Sequence, residues 1–310
     1  MEQRIANILA QTTTKTLKIQ QLLMLGLTRR QVADLVTNGN YGFVQNVYAK
    51  MNLANPSVQI LEMQSLDYSC TRRFGVEIEA YNCQMEILAE ALREEGIQVT
   101  IEGYNHYTRN HWKLVTDSSL SGSNTFELVS PVLEGQTGLN ELKKVCWILD
   151  ACEVKVNASC GLHIHFDAAN FDLQTWKNLA ISYKHIESVI DKFMPESRRQ
   201  NTYCRSLRNI MEQKINSAQN INELQRVAFG NTRYFKLNPQ SYSRHKTIEF
   251  RQHAGSINYD KISQWILFLN GLVIFAQYQP ISTGTALNDL PFLNDEQKGF
   301  VRLRTKKLNR

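Results

Sequence analysis

Thr247-Ile248-Glu249-Phe250-Arg251-Gln252-His253 is the stretch on which the reading of this chain turns. Its alternation is that of a β-strand, with Glu249, Arg251 and His253 on one face and Ile248, Phe250 and Gln252 on the other. An acid, a base and an imidazole in line make a poor core, because burying a charge is costly unless it is paired or holds a metal. A surface strand carrying a Glu/Arg pair would account for this heptapeptide by itself. Further segments of the same kind change the balance.

Phe74-Gly75-Val76-Glu77-Ile78-Glu79-Ala80 reads as a strand with Glu77 and Glu79 on one face. Two carboxylates at that spacing repel unless a cation lies between them or water screens them. Hard oxygen ligands so placed suit Mg²⁺ or Mn²⁺. In Cys160-Gly161-Leu162-His163-Ile164-His165-Phe166-Asp167 two imidazoles share a strand face. A single histidine there is more often a satisfied core residue, whereas the pair points to metal or phosphate binding. Glu127, within Phe126-Glu127-Leu128-Val129-Ser130-Pro131, is a lone carboxylate among apolar residues and needs a partner. Asp117 falls in a loop after Trp112-Lys113-Leu114-Val115 and fits a structural role equally well. Each segment has a dull explanation as a solvated face, but four dull explanations in one domain are hard to hold together.

Helices are expected over 84–95, 139–151, 173–193 and 260–277, with strands at 97–101 and 233–238. Strands sharing a functional face and separated by helices predict an α+β domain, a sheet or partial barrel with helices outside. Residues 196–208 read as a basic loop whose Arg198, Arg199, Arg205 and Arg208 either line an anionic site or form a solvated face. The basic tail, with Arg302, Arg304, Lys306, Lys307 and Arg310, is expected to be mobile. No P-loop or dinucleotide fingerprint is present.

Residues 14–51 fall into three helical pieces. Leu17, Leu22, Leu23 and Leu25 give an apolar stripe ending at Gly26, a C-terminal cap. Thr28-Arg29-Arg30-Gln31 reads as a capping box opening a short helix whose buried face is Val32, Leu35 and Val36. After a turn at 37–40 comes a third helix with Phe43, Val44, Val47 and Tyr48 at helical spacing. The pattern resembles a helix-turn-helix module, in which Asn40, Tyr41, Gln45, Asn46 and Lys50 would face DNA. Six Lys/Arg against two Asp/Glu in residues 1–60 agree with that. A small helical bundle that binds protein or caps its neighbour is the alternative. Residues 56–72, lacking periodicity, read as the linker to a second domain over 73–310.

The totals set few limits. With 310 residues, 43% of them hydrophobic and 21% charged, the chain has an ordinary globular composition sufficient for two domains. A net charge of +6 adds weak support for an anionic partner. The six cysteines form no C-x-x-C pair, and Met1-Glu2-Gln3-Arg4 does not open a signal peptide, so reduced thiols in a cytoplasm are expected. The apolar stretch 265–278 is too short to span a bilayer, and no membrane association is expected.

Taken in order, Phe-Gly-Val-Glu-Ile-Glu, Trp-Lys-x-Val-x-Asp-x-Ser-Leu, Glu-Leu-Val-Ser-Pro, Gly-x-His-x-His and Thr-Ile-Glu-Phe-Arg-Gln-His resemble the amidoligase family. That family belongs with glutamine synthetase and glutamate–cysteine ligase, and the similarity runs from about residue 73 to about residue 278. The resemblance implies an antiparallel half-barrel binding ATP and divalent metals, Mg²⁺ or Mn²⁺. It also implies an ATP-dependent ligase that joins a carboxylate to an amine, on an amino acid, peptide or protein, through an acyl phosphate. Carried over, Glu77, Glu79, Glu127, His163 and Glu249 would be metal ligands, and His165 would lie near the ATP phosphates. Arg251 would neutralise the transferring phosphoryl group, so that Glu249 and Arg251 carry the catalysis. Asp117, Asn238 and His253 match family positions without an assigned role. Two departures stand out: Ser118 replaces a usual glycine, and Thr247 stands where glutamine synthetase has an arginine. Glutamate and ammonia are therefore not carried over as substrates. The rival reading is a DNA-binding regulator whose ligase-like domain is a degenerate ligand sensor. A third is a ligase whose helical module recruits a protein substrate.

Overall fold

The computed structural model describes residues 2–50, 70, 72–282 and 286–309. Its contacts divide the chain into two compact units, Met1–Leu66 and Asp67–Arg310. Most of the expected linker, at 56–69 and 71, lies outside the described residues, as do residues 51–55.

The first unit holds α1 (Glu2–Ala10), α2 (Lys15–Met24), α3 (Arg29–Val36) and α4 (Tyr41–Lys50). The start of α3 follows from its side chains: Gln31 N–H donates to Thr28 Oγ1 at 3.3 Å, and Thr28 N–H donates back to Gln31 Oε1 at 2.9 Å. Gly26, at φ +94°, provides the left-handed turn after α2. Ile19, Leu22, Leu23, Val32, Ala33, Val44 and Val47 form the core. Two expected core positions are corrected: Leu35 and Phe43 are exposed, because Ala33 and Val44 face inward in their place. The helix α1 had no counterpart in the three-helix reading; Ile5, Ile8 and Leu9 pack it against the core. The expected outward set is also partly engaged. Arg29 donates to Gln45 Oε1 at 2.6 Å, and its guanidinium lies 5.9 Å from the Tyr41 ring and 4.7 Å from that of Tyr48.

In the second unit the strands are β1 (Phe74–Ala80), β2 (Val99–Ile101), β3 (Trp112–Val115), β4 (Phe126–Val129), β5 (Gly161–Asp167), β6 (Leu237–Asn238) and β7 (Thr247–Ala254). They form one sheet in the order β2-β3-β4-β1-β5-β7-β6. Its helices are α5 (Met85–Glu94), α6 (Gly135–Ala151), α7 (Leu173–Lys192), α8 (Glu196–Arg199), α9 (Glu212–Ser217), α10 (Ile221–Val227), α11 (Ser241–His245), α12 (Tyr259–Ala276) and α13 (Asp295–Leu308). None of the described helices is long and apolar enough to cross a membrane. The fold is α+β, but the sheet is mixed: β2 joins β3 in parallel, while the other pairs are antiparallel. The parallel edge arises because residues 102–111 cross back before β3 begins. They are held there by the Lys113 ammonium, which donates to Asn105 O at 3.1 Å, Asn105 Oδ1 at 2.9 Å and Tyr107 O at 2.9 Å.

One face of the sheet is apolar. Val76, Ile78, Leu128, Leu162, Ile164, Phe166, Ile248 and Phe250 are buried, and Tyr183 of α7 sets its ring 5.8 Å from Phe250. The alternation of β7 fails at one point. Between Ile164↔Phe250 and Leu162↔His253, β5 advances two residues while β7 advances three, which is a β-bulge. His253 therefore does not share the face of Glu249 and Arg251. Its ring lies 5.7 Å from Trp265 of α12, and Gln252 accepts from the Tyr183 hydroxyl at 2.7 Å.

Three other expectations give way to local chemistry. The tail is helical: Asn294 and Gln297 cap α13 reciprocally, Val301 is buried, and Asn309 donates to Lys192 O at 2.9 Å. The strand expected at 233–238 is only β6, because Phe235 bridges to Arg205 instead. The basic loop at 196–208 contains α8, and two of its arginines are structural. Arg199 donates to Met194 O at 2.9 Å, and Arg208 pairs with Asp191 at 2.9 Å.

Asp191 also serves Lys236, a fully buried lysine whose ammonium lies 2.7 Å from Asp191 and 2.8 Å from Glu187. Lys236→Met is expected to strand these acids and destabilise the fold by about 3 kcal/mol or more, read from urea unfolding. His253 gives a pH dependence. Burial lowers its pKa from 6.5 to about 3, against a smaller opposing effect of its bond to Ala254 O and aided by Arg304, Arg198 and Lys261. The imidazole stays neutral in the folded chain but is protonated in the unfolded chain below pH 6.5, so stability is lost as pH falls from 6.5 towards 3. His253→Phe is expected to flatten the stability–pH slope between pH 6 and 4 by about 1 kcal/mol per pH unit, measured in urea.

Candidate active site

The opposite face of the sheet carries the polar alternates. Across β1 and β4, Glu79 faces Glu127; across β1 and β5, Glu77 faces His163. Across β5 and β7, His165 faces Glu249, and across β7 and β6, Glu249 faces Asn238. Adjacent strands thus bring Glu77, Glu79, Glu127, His163, His165 and Glu249 together although they are up to 172 positions apart in sequence (249 − 77). Each rung puts side chains in reach of one another.

His163 is the hub. Its Nδ1 lies 3.1 Å from Glu77 Oε2 and 3.8 Å from Glu249 Oε1, and its Nε2 lies 3.6 Å from Glu79 Oε1. Two ligand sets follow, Glu77–His163–Glu249 and Glu79–Glu127–His163, each with its donor atoms within 4.8 Å of one another. His165 Nε2 sits 3.2 Å from Glu77 Oε1, and its Nδ1 is 3.0 Å from Thr247 Oγ1. Thr247 thus supplies a hydroxyl that orients an imidazole. Arg251 Nη1 pairs with Glu249 Oε1, and Asn238 Nδ2 donates to Glu249 Oε2 at 2.5 Å. Asp117 Oδ1 accepts the Ser119 N–H at 2.7 Å in a loop where Ser118 needs no left-handed backbone. No glycine is required there.

The electrostatics divide the acids. Burial alone would raise the Glu77 carboxyl, but His165 and His163 hold it well below the usual range. Glu249 is likewise lowered against burial, by Arg251 and then His165. Burial pushes Glu127 well above the ordinary range, reinforced by the charges of Glu77, Glu79 and Asp117. Burial would lower His165, but Glu77 outweighs it and the imidazole is raised. A cluster in which burial and neighbouring carboxylates together disfavour the charge on one acid suits an added cation. The oxygen-rich donor set with one imidazole fits Mg²⁺ or Mn²⁺.

Two pockets meet over this face and share Glu77, Glu127 and His106. One, of about 330 Å³, is walled by Phe74, Val129, Pro131, His165, His245 and Thr247. The other, of about 670 Å³, runs past Glu79, His163 and Arg251 to Arg198, Tyr203 and Arg233. The 102–111 segment contributes Tyr104 and His106 to their walls, and Thr108 Oγ1 lies 3.2 Å from His245 Nδ1. Sequence reasoning assigned nothing to Tyr104, His106 or His245. No periodicity marks them, and only the run of aromatic and imidazole residues in 104–111 could have drawn attention.

A family model described as "Putative amidoligase enzyme" matches residues 70–273, which includes all seven strands and every acid and imidazole of the site. No curated protein matches the chain.

If Glu127 is crowded by its neighbours, Glu127→Gln should raise the melting temperature by a few °C in EDTA at pH 7.5. Mn²⁺ should raise the melting temperature of the unaltered protein more than that of the variant. Differential scanning fluorimetry reads both effects.

Proposed function

Because the chain belongs to the amidoligase family, whose name denotes an amide-bond-forming ligase, we propose that it joins a carboxylate to an amine at the expense of ATP. The single observation carrying this reading is the pair of ligand sets that share His163 beside the Glu249–Arg251 pair. Acids for cations next to an oriented guanidinium are what phosphoryl transfer requires, since that chemistry depends on positioning and charge neutralisation.

In the proposed reaction a carboxylate oxygen attacks the γ-phosphorus of ATP and the bond to ADP breaks, leaving an acyl phosphate. An amine nitrogen then attacks the acyl carbon, phosphate departs with the C–O electron pair, and the nitrogen gives up a proton. Divalent cations bound by Glu77, Glu79, Glu127, His163 and Glu249 would neutralise phosphate charge. Arg251 is the group that meets the phosphoryl oxygens. Glu249 and Asn238 fix its direction, one by the ion pair and the other by holding the Glu249 carboxylate. His165, oriented by Thr247, stands near the phosphates. His245 lines the smaller pocket; burial and then His165 lower its pKa, leaving it neutral to receive the amine proton. The carboxylate and amine belong to an amino acid, peptide or protein.

A second reading attaches to the helical unit, which we propose as a DNA-binding or protein-recruiting appendage. The observation favouring DNA is the capped α3 followed by α4, with Asn40, Tyr41 and Asn46 exposed. Were DNA binding present and ATP turnover absent, the regulator with a degenerate sensor domain would replace the ligase.

Nucleotide binding by calorimetry tests the main reading. The unaltered chain should bind ATP only with Mg²⁺ or Mn²⁺, and Glu77→Gln and Glu249→Gln should each weaken it about tenfold or more. Arg251→Met should lower ATP turnover about 10²-fold or more once an acceptor pair is found. Metal-independent binding, or binding unchanged in both acid variants, would remove the site from this face.

A further inference from the structure

Arg198 is the one buried guanidinium on the wall of the larger pocket that the reaction above leaves without a task. It is 3% exposed and lines the pocket that contains Glu79, His163 and Arg251. Its Nη2 donates to the Arg251 carbonyl at 2.5 Å and its Nε to the Gln252 carbonyl at 3.4 Å. Neutral carbonyls orient a guanidinium but do not balance its charge. Among the described residues no carboxylate oxygen lies within 4.0 Å of it, whereas Arg251 has Glu249 and Arg208 has Asp191. A buried cation held this way is costly unless an anion completes it.

Gly161 gives an independent sign of where that anion sits. A Cβ at this position would come 2.9 Å from His163 Nε2, 3.1 Å from Arg198 Nη2 and 3.2 Å from Glu79 Oε2. Its φ is not in the left-handed region, so the backbone does not call for glycine. The missing side chain lets a guanidinium, an imidazole and a carboxylate pack together against the backbone at this point. An anionic oxygen that Arg198 receives therefore lies beside Glu79 and His163. Arg233, stacked 5.4 Å from the Tyr234 ring, adds positive charge to the same pocket.

We infer that Arg198 is a second guanidinium for the terminal phosphoryl group, acting with Arg251, and that Gly161 is side-chain-free so that Arg198 can approach His163 and Glu79. The inference rests on the ligase reading above and adds to it a residue outside the strand motifs. Arg251 is carried on β7, whereas Arg198 arrives from α8, so the two guanidiniums reach the pocket from separate elements. Two forks addressing different oxygens hold a tetrahedral group in one orientation, which a single fork does not.

Calorimetry on the full chain in Mg²⁺ tests it with three probes: the β,γ-imido analogue of ATP, ADP, and inorganic phosphate. Arg198→Met should weaken the analogue about tenfold or more and ADP by less than about threefold, with Arg198→Lys between. Arg198→Lys, which keeps the charge and loses the fork, decides the matter by the same selective loss if Arg198→Met does not fold. Equal loss of analogue and ADP in the Arg198 variants, or no loss of either, overturns the inference. If the unaltered chain binds neither nucleotide, the ligase reading fails, and phosphate becomes the deciding probe. Phosphate binding that disappears in Arg198→Met or Arg198→Lys would then keep the oxyanion site, while phosphate that never binds, or that binds equally in both variants, would end it.

Discussion

Everything in the second unit depends on one unfavourable juxtaposition: Glu79 directly across from Glu127, two residues along β1 from Glu77, which lies across from His163. Facing carboxylates on neighbouring strands repel, and burial makes the repulsion worse. The sheet tolerates this because its other face is so thoroughly apolar. Ile78, Leu128, Leu162 and Ile164 are fully buried, and the helices behind them supply the stability that the charged face gives up. The charged face is therefore strained electrostatically and rigid mechanically. Such a combination favours binding cations and anions in fixed places over rearranging around them.

His163 keeps this arrangement from being merely repulsive. One imidazole within 4 Å of three carboxylates links two ligand sets that would otherwise be separate clusters. The outer shell follows the same economy. Asn238 and Arg251 hold Glu249 from two sides, Thr247 holds His165, and the Gly161 N–H donates to Glu79 Oε2 at 2.5 Å. Glu77, Glu79 and Glu249 are each oriented by a donor from a neighbouring strand or from their own.

How much of this could be read in advance follows from the range of the interactions involved. Strand alternation is local, so the acids of β1, the imidazoles of β5 and the Glu249/Arg251 pair of β7 were visible as a common polar face. The capping box at Thr28 and Gln31 was visible for the same reason. His253 was misplaced because a β-bulge leaves no mark in a heptapeptide; it exists only in the register against β5. The parallel edge was missed because it depends on where residues 102–111 lie, and that is decided by a buried lysine reaching two carbonyls and an amide. Charge runs misled in both directions. Arg199 and Arg208 became structural partners and the tail became α13, while Arg198 came to line the pocket. A basic run records charge, but the carbonyls and acids that absorb it come from elsewhere in the chain.

The bulge in β7 has a further meaning for how this strand can change over time. Upstream of it, odd-numbered residues belong to the polar face; downstream, His253 belongs to the packing against Trp265. The strand is a two-sided ruler whose markings are shifted by one in the middle. Substitutions at either end are judged by one environment only, and the two ends can drift independently. A gain or loss of a single residue between Arg251 and His253 is different in kind. It would carry a charged side chain into the aromatic interior and an aromatic partner out onto the polar face, so chain length there is held more tightly than the identity of any one side chain.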